Sequence, residues 1–560
     1  MSADAAPFLA PGIAWALVVL FSVLWIALGV AWGRRGNGDA DDFMLAGRNI
    51  GLALSTATLM ASWVTGNTTL LAPEFGYRTG LWGMFSYALA GLGLILFAPL
   101  ASRIKQLMPN GRTSGDFIRL RYGRLAWWVF MVITAVYTLG FLMTQAMGAG
   151  LLLQALSGFD YHVGMVVVIG VATVYTLFGG MRAVIGTDFI QSLLIMVLLA
   201  VVAVLAFRQF PMPEVHSRLI AAHPDRLDLL LPAGLLLQAL SGFDYHVGMV
   251  VVIGVATVYT LFGGMRAVIG TDFIQSLLIM VLLAVVAVLA FRQFPMPEVH
   301  ARLISAHPDR LDLLLPAGLL IAWNSALFSM GEVFHNNIWW SRVFASRRSV
   351  VMTSFVLGGL AWMSVPLVTG SIGLVALARD LPLEQVNMVF PVMAADLLGA
   401  GGAALVFVVV FASLTSTLDS LLASTADLLA EDVYFRLLRP QASDAQLKQA
   451  ARQMVVGLAV ITLALSWPRL DSLASVLFFT GALVASTVWP VACGLFWPSA
   501  SRRAAIVAMV SGSAVGLLAY GLIAPYCAAV FSAAVSAVVM VVGSRWQPEG
   551  FDFNRLQEEV

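Results

Sequence analysis

A row of small polar side chains runs along one apolar segment in the last third of the chain. In "FASLTSTLDSLLASTADLLAEDVY" these residues recur at steps of three and four, the spacing of one face of an α-helix. The members of this polar stripe are Ser413, Ser416, Thr417, Ser420, Ser424 and Asp427. Hydroxyl oxygens, completed by carbonyls of a broken helix, are suitable ligands for a hard monovalent cation. The spacing fits small residues that pack helices together equally well. The carboxylates of Asp419 and Asp427 favour ion binding, because buried charge is costly in a membrane.

Two other apolar segments carry polar residues and glycine at mid-length. "STATLMASWVTGNTTLLAPEFG" has Gly66 among threonines and an asparagine, and "AWNSALFSMGEVFHNNIWWSR" has Gly331 beside Glu332. Backbone groups freed by an interrupted helix must be satisfied inside the bilayer, so such interruptions occur where the helix lines an enclosed cavity. Glycine and threonine also permit close helix packing. When two such interruptions occupy matching positions in the two halves of a chain, they indicate the binding site of a transporter.

The composition indicates which kind of secondary structure must position these residues. The chain has 560 residues, of which 60% are hydrophobic and 11% are charged, and its net charge is +1. Soluble domains carry roughly 25% charged residues, and a near-neutral chain gives no indication of nucleic-acid binding. Apolar runs of the length needed to cross a bilayer recur throughout. The sequence predicts an all-α polytopic membrane protein with roughly fifteen spans. They are 12–33, 50–72, 81–101, 126–152, 163–180, 188–207, 247–264, 272–291, 318–340, 350–377, 402–430, 453–468, 473–498, 504–524 and 527–543.

Basic residues in the predicted loops set the orientation. Clusters around Arg34, Arg112, Arg347, Arg436 and Arg502 all fall on one side of the predicted spans, and that side is the cytoplasm by the positive-inside rule. We therefore expect a multi-pass protein of the plasma (inner) membrane with its N-terminus outside and its C-terminus in the cytoplasm. The segment 388–400 is too short to cross and is expected to form a helix at the surface.

Residues 150–233 return at 234–317 with an offset of 84 positions and two differences, Ser217/Ala301 and Ala221/Ser305. Each copy holds two predicted spans, so an extra copy returns the chain to the side it left. Such near-identity is typical of a recent duplication or an assembly error rather than of the diverged repeats of transporters. The predicted organisation is an N-terminal span and loop (1–48), a first half (49–233), the duplicate (234–317), a second half (318–499) and C-terminal spans with a short tail (500–560).

Several motifs together resemble the sodium:solute symporter family. They are "FMLAGRNIG", "VYTLFGGMRAVIGTDFIQ", "WWSRVFASR" and "LTSTLDSLLASTADLLAEDVY", in family order from about 43 to 497. "PNGRTSGDFIRLRYG" and "VFHNNIWWSRVFASR" look most like the urea and polyamine branch. The resemblance implies a LeuT-like fold of five plus five helices in inverted repeat, here with extra N- and C-terminal spans and the duplicated hairpin.

The resemblance also implies site residues. Sodium is expected at the carbonyls of Ala61, Val64 and Ser413 and the hydroxyls of Ser416 and Thr417. An aspartate on the sodium exit path falls at Asp188 or at its duplicate Asp272, and Asp419 is a candidate for a second cation contact. The substrate is expected to contact residues of the two interrupted spans, namely Trp63, Thr65, Asn67, Thr68, Ser329, Glu332 and Asn336.

The predicted function is symport of sodium with a small polar solute, urea-like, amine-like, polyamine-like or an amino acid, by alternating access. Sodium is the coupling ion, and no other cofactor is expected; the partners are the solute, sodium and the lipid bilayer. Glu332 departs from what the urea branch carries at this position. A buried carboxylate favours a positively charged partner, which suggests an amine or another cationic solute. Pairing with an arginine, or a carboxyl group that remains protonated, accounts for Glu332 equally well. The alternative is a sensor that keeps the symporter fold and signals through a separate protein. An enzyme is not expected, since His335 with Glu332 is the sole candidate pair.

Overall fold

In the computed structural model the protein is described over residues 9–33, 48, 50–63, 65–158, 160–174, 176–177, 296–307, 311, 316–381, 383, 386–468 and 473–558. Within these ranges the side chains of Ala61, Asn67, Ser413 and Ser416 are among those not described. The predicted spans 188–207, 247–264 and 272–291 lie outside the described residues, as do Val64, Asp188 and Asp272. The total of fifteen spans therefore stays a prediction.

The described residues form helices joined by short connections, with one isolated parallel bridge between Ile50 and Ser346. The helices are α1 (Pro11–Gly33), α2 (Leu52–Trp63), α3 (Gly66–Thr79), α4 (Leu81–Leu89), α5 (Leu92–Leu107), α6 (Ser114–Tyr122), α7 (Arg124–Ser157), α8 (Tyr161–Val174), α9 (Met296–Ala306), α10 (Pro316–His335), α11 (Asn337–Ala345), α12 (Val351–Ala378), α13 (Val389–Leu429), α14 (Asp444–Ser466), α15 (Leu473–Val484), α16 (Val488–Phe496), α17 (Arg502–Leu522), α18 (Ala528–Trp546) and α19 (Arg555–Glu558).

Seven of the described segments are long and apolar enough to cross a membrane. They are Leu81–Leu107, Arg124–Ser157, Val351–Ala378, Ala445–Ser466, Leu473–Phe496, Arg502–Leu522 and Pro525–Trp546. Each exceeds the roughly 20 residues that an apolar helix needs to span the hydrocarbon core. These segments support a multi-pass membrane protein, and their outer faces carry exposed apolar side chains such as Val132, Leu360 and Val538.

Helix α13 contains the predicted surface segment 388–400 and the predicted span 402–430. Its helical backbone is interrupted at Gly399, which has φ +62° and ψ −152°. Glycine reaches this conformation without the steric cost that a side chain brings. The chain therefore changes direction at Gly399, between the short apolar segment and the helix that carries the polar stripe.

Each copy of the repeat contributes a different described helix. Helix α8 belongs to the first copy, while α9 belongs to the second. The equivalents of these helices in the other copies, 245–258 and 212–222, lie outside the described residues. The described part of the fold therefore draws on both copies of the repeat.

A buried acidic cluster stands at the end of α13. We use the name for Asp116, Glu431 and Asp432, whose exposed fractions are 0%, 2% and 1%. Arg436 reaches all three, with Nη2 2.6 Å from an Asp116 carboxylate oxygen, Nη2 3.4 Å from Glu431 and Nε 3.6 Å from Asp432. Thr113, the N-cap of α6, donates its hydroxyl to Asp432 at 2.9 Å. The cluster thereby joins α6 to the π-helical turn Ala430–Leu438 that follows α13.

Candidate functional site

The first break separates α2 from α3, between Trp63 and Thr65. Thr65 caps α3 through a capping box, in which Thr68 N donates to Thr65 Oγ1 and Thr65 N donates to Thr68 Oγ1, both at 3.3 Å. The carbonyl of Trp63, freed at the end of α2, accepts hydrogen bonds from Thr68 Oγ1 at 3.0 Å and from Trp362 Nε1 at 2.8 Å. The break is thus satisfied by side chains, as an interrupted helix in a membrane requires.

The second break separates α10 from α11 at Asn336, five residues after Gly331. Asn336 caps α11 by accepting a hydrogen bond from Ile338 N at 3.0 Å. Trp340 Nε1 donates to the carbonyl of Phe334 at 2.9 Å. An indole N–H therefore bonds a freed carbonyl at both breaks.

Gly331 does not interrupt the second segment as the sequence suggested, because α10 continues through it. A Cβ on Gly331 would lie 2.6 Å from backbone atoms of Val484 and Ala485. The small size of Gly331 allows α10 to approach the end of α15 closely. Gly331 therefore serves close helix packing, the second role that the sequence allowed for it.

Both interrupted segments contribute side chains to one cavity, which lies beside the first break. Five of the residues predicted to contact substrate line it, namely Trp63, Thr65, Thr68, Ser329 and Glu332. Asn336 is buried at the second break and does not line the cavity, while the side chain of Asn67 is not described.

Aromatic rings from at least five helices form much of the cavity wall. Trp63 and Trp362 lie with ring centroids 5.5 Å apart, and Tyr87 lies 6.0 Å from Trp362. Phe75 continues the wall, 5.6 Å from Tyr87 and 5.8 Å from Phe478. Hydroxyl groups complete the lining at Ser62, Thr65, Thr68 and Ser325.

Glu332 and His335 occupy successive turns of α10 but have different surroundings. Glu332 lines the cavity beside the phenol of Tyr137. His335 is fully buried away from it, with Nε2 2.7 Å from Thr134 Oγ1 and its ring packed on Phe130. In the described part of the chain, no group of three or more His, Cys, Asp or Glu residues is placed to hold a metal ion. His335 therefore packs as a core histidine.

Four of the predicted sodium residues lie on α2 and α13, which pack against each other, namely Ala61, Ser413, Ser416 and Thr417. Thr417 is 8% exposed and Asp419 is fully buried on α13, and the stripe residues Ser420 and Ser424 are buried with them. Ala61, Ser413 and Ser416 belong to these helices, although their side chains are not described. The packing brings the helices of the predicted sodium site together, and the site itself stays a prediction.

A family model described as the sodium:solute symporter family matches residues 43–235 and 227–512. The chain belongs to this family. The two matched segments overlap at 227–235, inside the repeated stretch. The match confirms the family that the sequence motifs indicated.

Curated relatives of this family member include transporters of urea and of proline. It is 26% identical over 490 residues to the urea-proton symporter DUR3 of Oryza sativa subsp. japonica, covering 85% of this chain and 60% of the relative. It is 23% identical over 504 residues to the urea active transporter of Saccharomyces cerevisiae, covering 86% and 58%. The high-affinity proline transporter PutP of Bacillus subtilis is 26% identical over 306 residues, covering 51% and 62%. The chain thus spans about 60% of the length of the two urea transporters, and they confirm its likeness to the urea branch.

One solved structure shows the fold of this family member. A Na⁺-coupled sialic acid symporter, in a substrate-bound outward-open state, superposes with a TM-score of 0.66 over 96% of this chain and 99% of that one, at 13% sequence identity. This identity is low, so the likeness concerns the fold alone.

Several residues of the cavity wall were missed by sequence reasoning. They are Ser62, Phe75, Tyr87, Ala90, Phe141, Ser325, Phe328, Trp362, Leu477 and Phe478. Most are apolar or aromatic residues in apolar helices, where lipid-facing, core and cavity positions have the same composition. Ser62 and Ser325 are the two that the sequence could have indicated, since each is a polar residue in one of the two interrupted segments.

We expect Trp362→Phe to lower the free energy of unfolding by about 1–2 kcal/mol, because the buried Trp63 carbonyl loses one of its two hydrogen bonds. Denaturant titration of the purified protein in detergent, followed by circular dichroism, measures this loss. The matched control is Trp323→Phe, at a tryptophan that is 64% exposed, where the change should stay within about 0.5 kcal/mol. Equal effects of the two substitutions would contradict the assigned role of the indole N–H.

Proposed function

We propose that this chain is a sodium-coupled secondary active symporter that imports a small polar solute by alternating access. The observation that carries the proposal is the cavity beside the first break, to which both interrupted segments contribute polar side chains. Unwound helix ends at such a cavity supply backbone groups and hydroxyls that recognise substrate and ion. The names of the relatives, which include urea and proline transporters, support the same class.

In the proposed cycle, sodium joins α2 to α13 through Ala61, Val64, Ser413, Ser416 and Thr417. This contact stabilises the outward-open state and favours solute binding between the breaks. Rocking of the helices then exposes both sites to the cytoplasm, where Asp188 or Asp272 assists sodium release. Because sodium binds one conformational state of the protein more tightly than the other, the sodium gradient drives transport of the solute.

The driving force is adequate for concentrative uptake. One charge that crosses about 100 mV contributes roughly 2.3 kcal/mol, and a tenfold sodium gradient adds about 1.4 kcal/mol. One sodium ion per cycle therefore permits about 500-fold accumulation of a neutral solute.

We expect Ser416→Ala combined with Thr417→Ala to raise the sodium concentration needed for half-maximal uptake by on the order of 100-fold, since each lost hydroxyl ligand is worth about 1–1.5 kcal/mol. The assay is uptake of labelled urea, proline and methylamine into proteoliposomes, with sodium replaced by potassium as the reference. Uptake by the purified protein also separates a transporter from a sensor that needs a partner.

The control is the buried pair Ser486 and Thr487, which is also an adjacent serine and threonine. Their hydroxyls donate to carbonyls of their own helical segment, at 2.7 Å to Leu483 and 2.7 Å to Val484. Alanine at both control positions should leave the sodium dependence within about twofold of the original. Unchanged sodium dependence in the Ser416 and Thr417 variant would refute the site, and sodium-independent uptake by the unaltered protein would refute the coupling.

A further inference from the structure

One acidic side chain, Glu332, lines the cavity beside the phenol of Tyr137. Among the described residues that line it, Glu332 alone has an ionisable carboxyl or basic side chain. The side chain is 7% exposed, and no described Lys, Arg or His lies within ion-pair distance of it. A carboxylate in this position favours a positively charged partner, because an unpaired buried charge is costly.

A described arginine also bonds one residue of the cavity wall. Arg342 on α11 donates through Nη1 to the carbonyl of Ile338 at 3.0 Å and through Nη2 to the hydroxyl of Ser62. Arg342 therefore bonds a residue of the wall but is not itself part of the cavity lining. A cationic solute would supply the positive charge that the described Lys, Arg and His residues do not place beside Glu332.

The walls around Glu332 also suit an organic cation. Trp63, Tyr87 and Trp362 form a connected aromatic group, and Trp63 and Trp362 are inclined at 50° to each other. Aromatic faces attract cations, most strongly when water is excluded. The hydroxyls of Ser62, Thr65, Thr68 and Ser325 add oxygen acceptors for further N–H groups.

We propose that the preferred solute is a small planar organic cation of the guanidinium or amidinium class, an assignment that rests on the proposed symport function. A guanidinium ion pairs with a carboxylate through two parallel N–H···O bonds and stacks on aromatic rings. It is also more weakly hydrated than an ammonium ion, so its transfer into an aromatic cavity costs less. Urea has a similar planar shape but no charge, and it leaves the Glu332 carboxylate uncompensated.

The test compares methylguanidine with its neutral isostere methylurea on the purified full chain in detergent, with sodium present. Quenching of tryptophan fluorescence or isothermal titration reports the two dissociation constants. We expect methylguanidine to bind about 30-fold more tightly, because its hydrogen bonds to a carboxylate are charge-assisted. Glu332→Gln should reduce that preference to about threefold or less, whereas Glu332→Asp should retain a preference of at least tenfold.

The matched control is Glu74→Gln, at an equally buried acid that does not line the cavity. Glu74 is 1% exposed and pairs with Arg78 at 2.8 Å. This variant should keep the preference for methylguanidine. Size-exclusion profiles and melting curves establish that each variant is folded before its binding is compared.

Two results overturn the inference, namely equal binding of methylguanidine and methylurea by the unaltered chain, and an unchanged preference in Glu332→Gln. Uptake into proteoliposomes separates this outcome from failure of the proposed function. Sodium-driven accumulation of methylurea, with no binding or competition by methylguanidine, would retain symport and eliminate the cation preference. Glu332-dependent binding of methylguanidine without accumulation of either compound would support the binding preference and eliminate symport.

Discussion

Replacement of Arg436 by alanine is expected to lower the free energy of unfolding by about 3–5 kcal/mol. Arg436 contacts all three carboxylates of the acidic cluster, and its shortest contact joins Nη2 to an Asp116 oxygen at 2.6 Å. Arg112 and Arg119 contact Glu431 and Asp116 at 3.4 and 4.0 Å. Their longer contacts do not replace Arg436, so its removal leaves buried negative charge poorly compensated.

The measurement is denaturant titration of the purified protein in detergent at constant pH. Arg439→Ala is the matched control, because Arg439 is an exposed arginine three residues further along. It should change stability by no more than about 0.5 kcal/mol. A loss below about 1 kcal/mol for Arg436→Ala would show that water already compensates the acidic cluster.

The same variant has a defined pH dependence. Burial and the neighbouring Asp116 carboxylate raise the pKa of Asp432, while Arg436 opposes the increase. The folded state therefore binds a proton that the unfolded state releases near the usual pKa of about 3.9. Stability falls as pH rises above that value and stops falling once the raised pKa is passed. Without Arg436 that pKa rises further, so we expect the decline to continue to higher pH, a change that melting curves at successive pH values will detect.

Gly373→Ala is expected to destabilise the protein by about 3 kcal/mol, the upper end for overpacking a buried site. A Cβ on Gly373 would lie 2.1 Å from the carbonyl oxygen of Pro73 and 2.8 Å from Tyr77 N. A Cβ on Gly76 would lie 2.2 Å from the carbonyl oxygen of Gly370. Since these neighbours are backbone atoms, α3 and α12 can accept a methyl group only by separating. That movement would also displace α3, the second half of the first broken segment.

Gly457→Ala provides the control for this substitution. Gly457 is in the interior of α14, and a Cβ there meets no heavy atom within 4 Å. Alanine has the higher helix propensity, so this variant should gain up to about 1 kcal/mol. Thermal melts of both variants in one detergent give the comparison. Similar melting temperatures for the two variants would mean that the close crossing of α3 and α12 is easily relaxed.

The sequence by itself determined the membrane class, the family and the presence of two interrupted segments. Each of these features depends on local chemistry. The length of an apolar run, the order of motifs and the presence of polar residues in an apolar segment can all be recognised in the sequence without knowledge of the packing. The polar stripe is also local, since its period follows from helix geometry. It placed Thr417, Ser420 and Ser424 on a face that the structure buries.

Tertiary structure alone decided where the second break falls and which apolar residues face the cavity. Gly331 is used for the approach of α15, and the break forms at Asn336, where a side chain caps the next helix. Tyr87 and Trp362 line the cavity although their helices resemble any other apolar span. The physical reason is that lipid, core and cavity all accept aromatic side chains, and only the packing of distant helices determines which of the three surrounds a given ring.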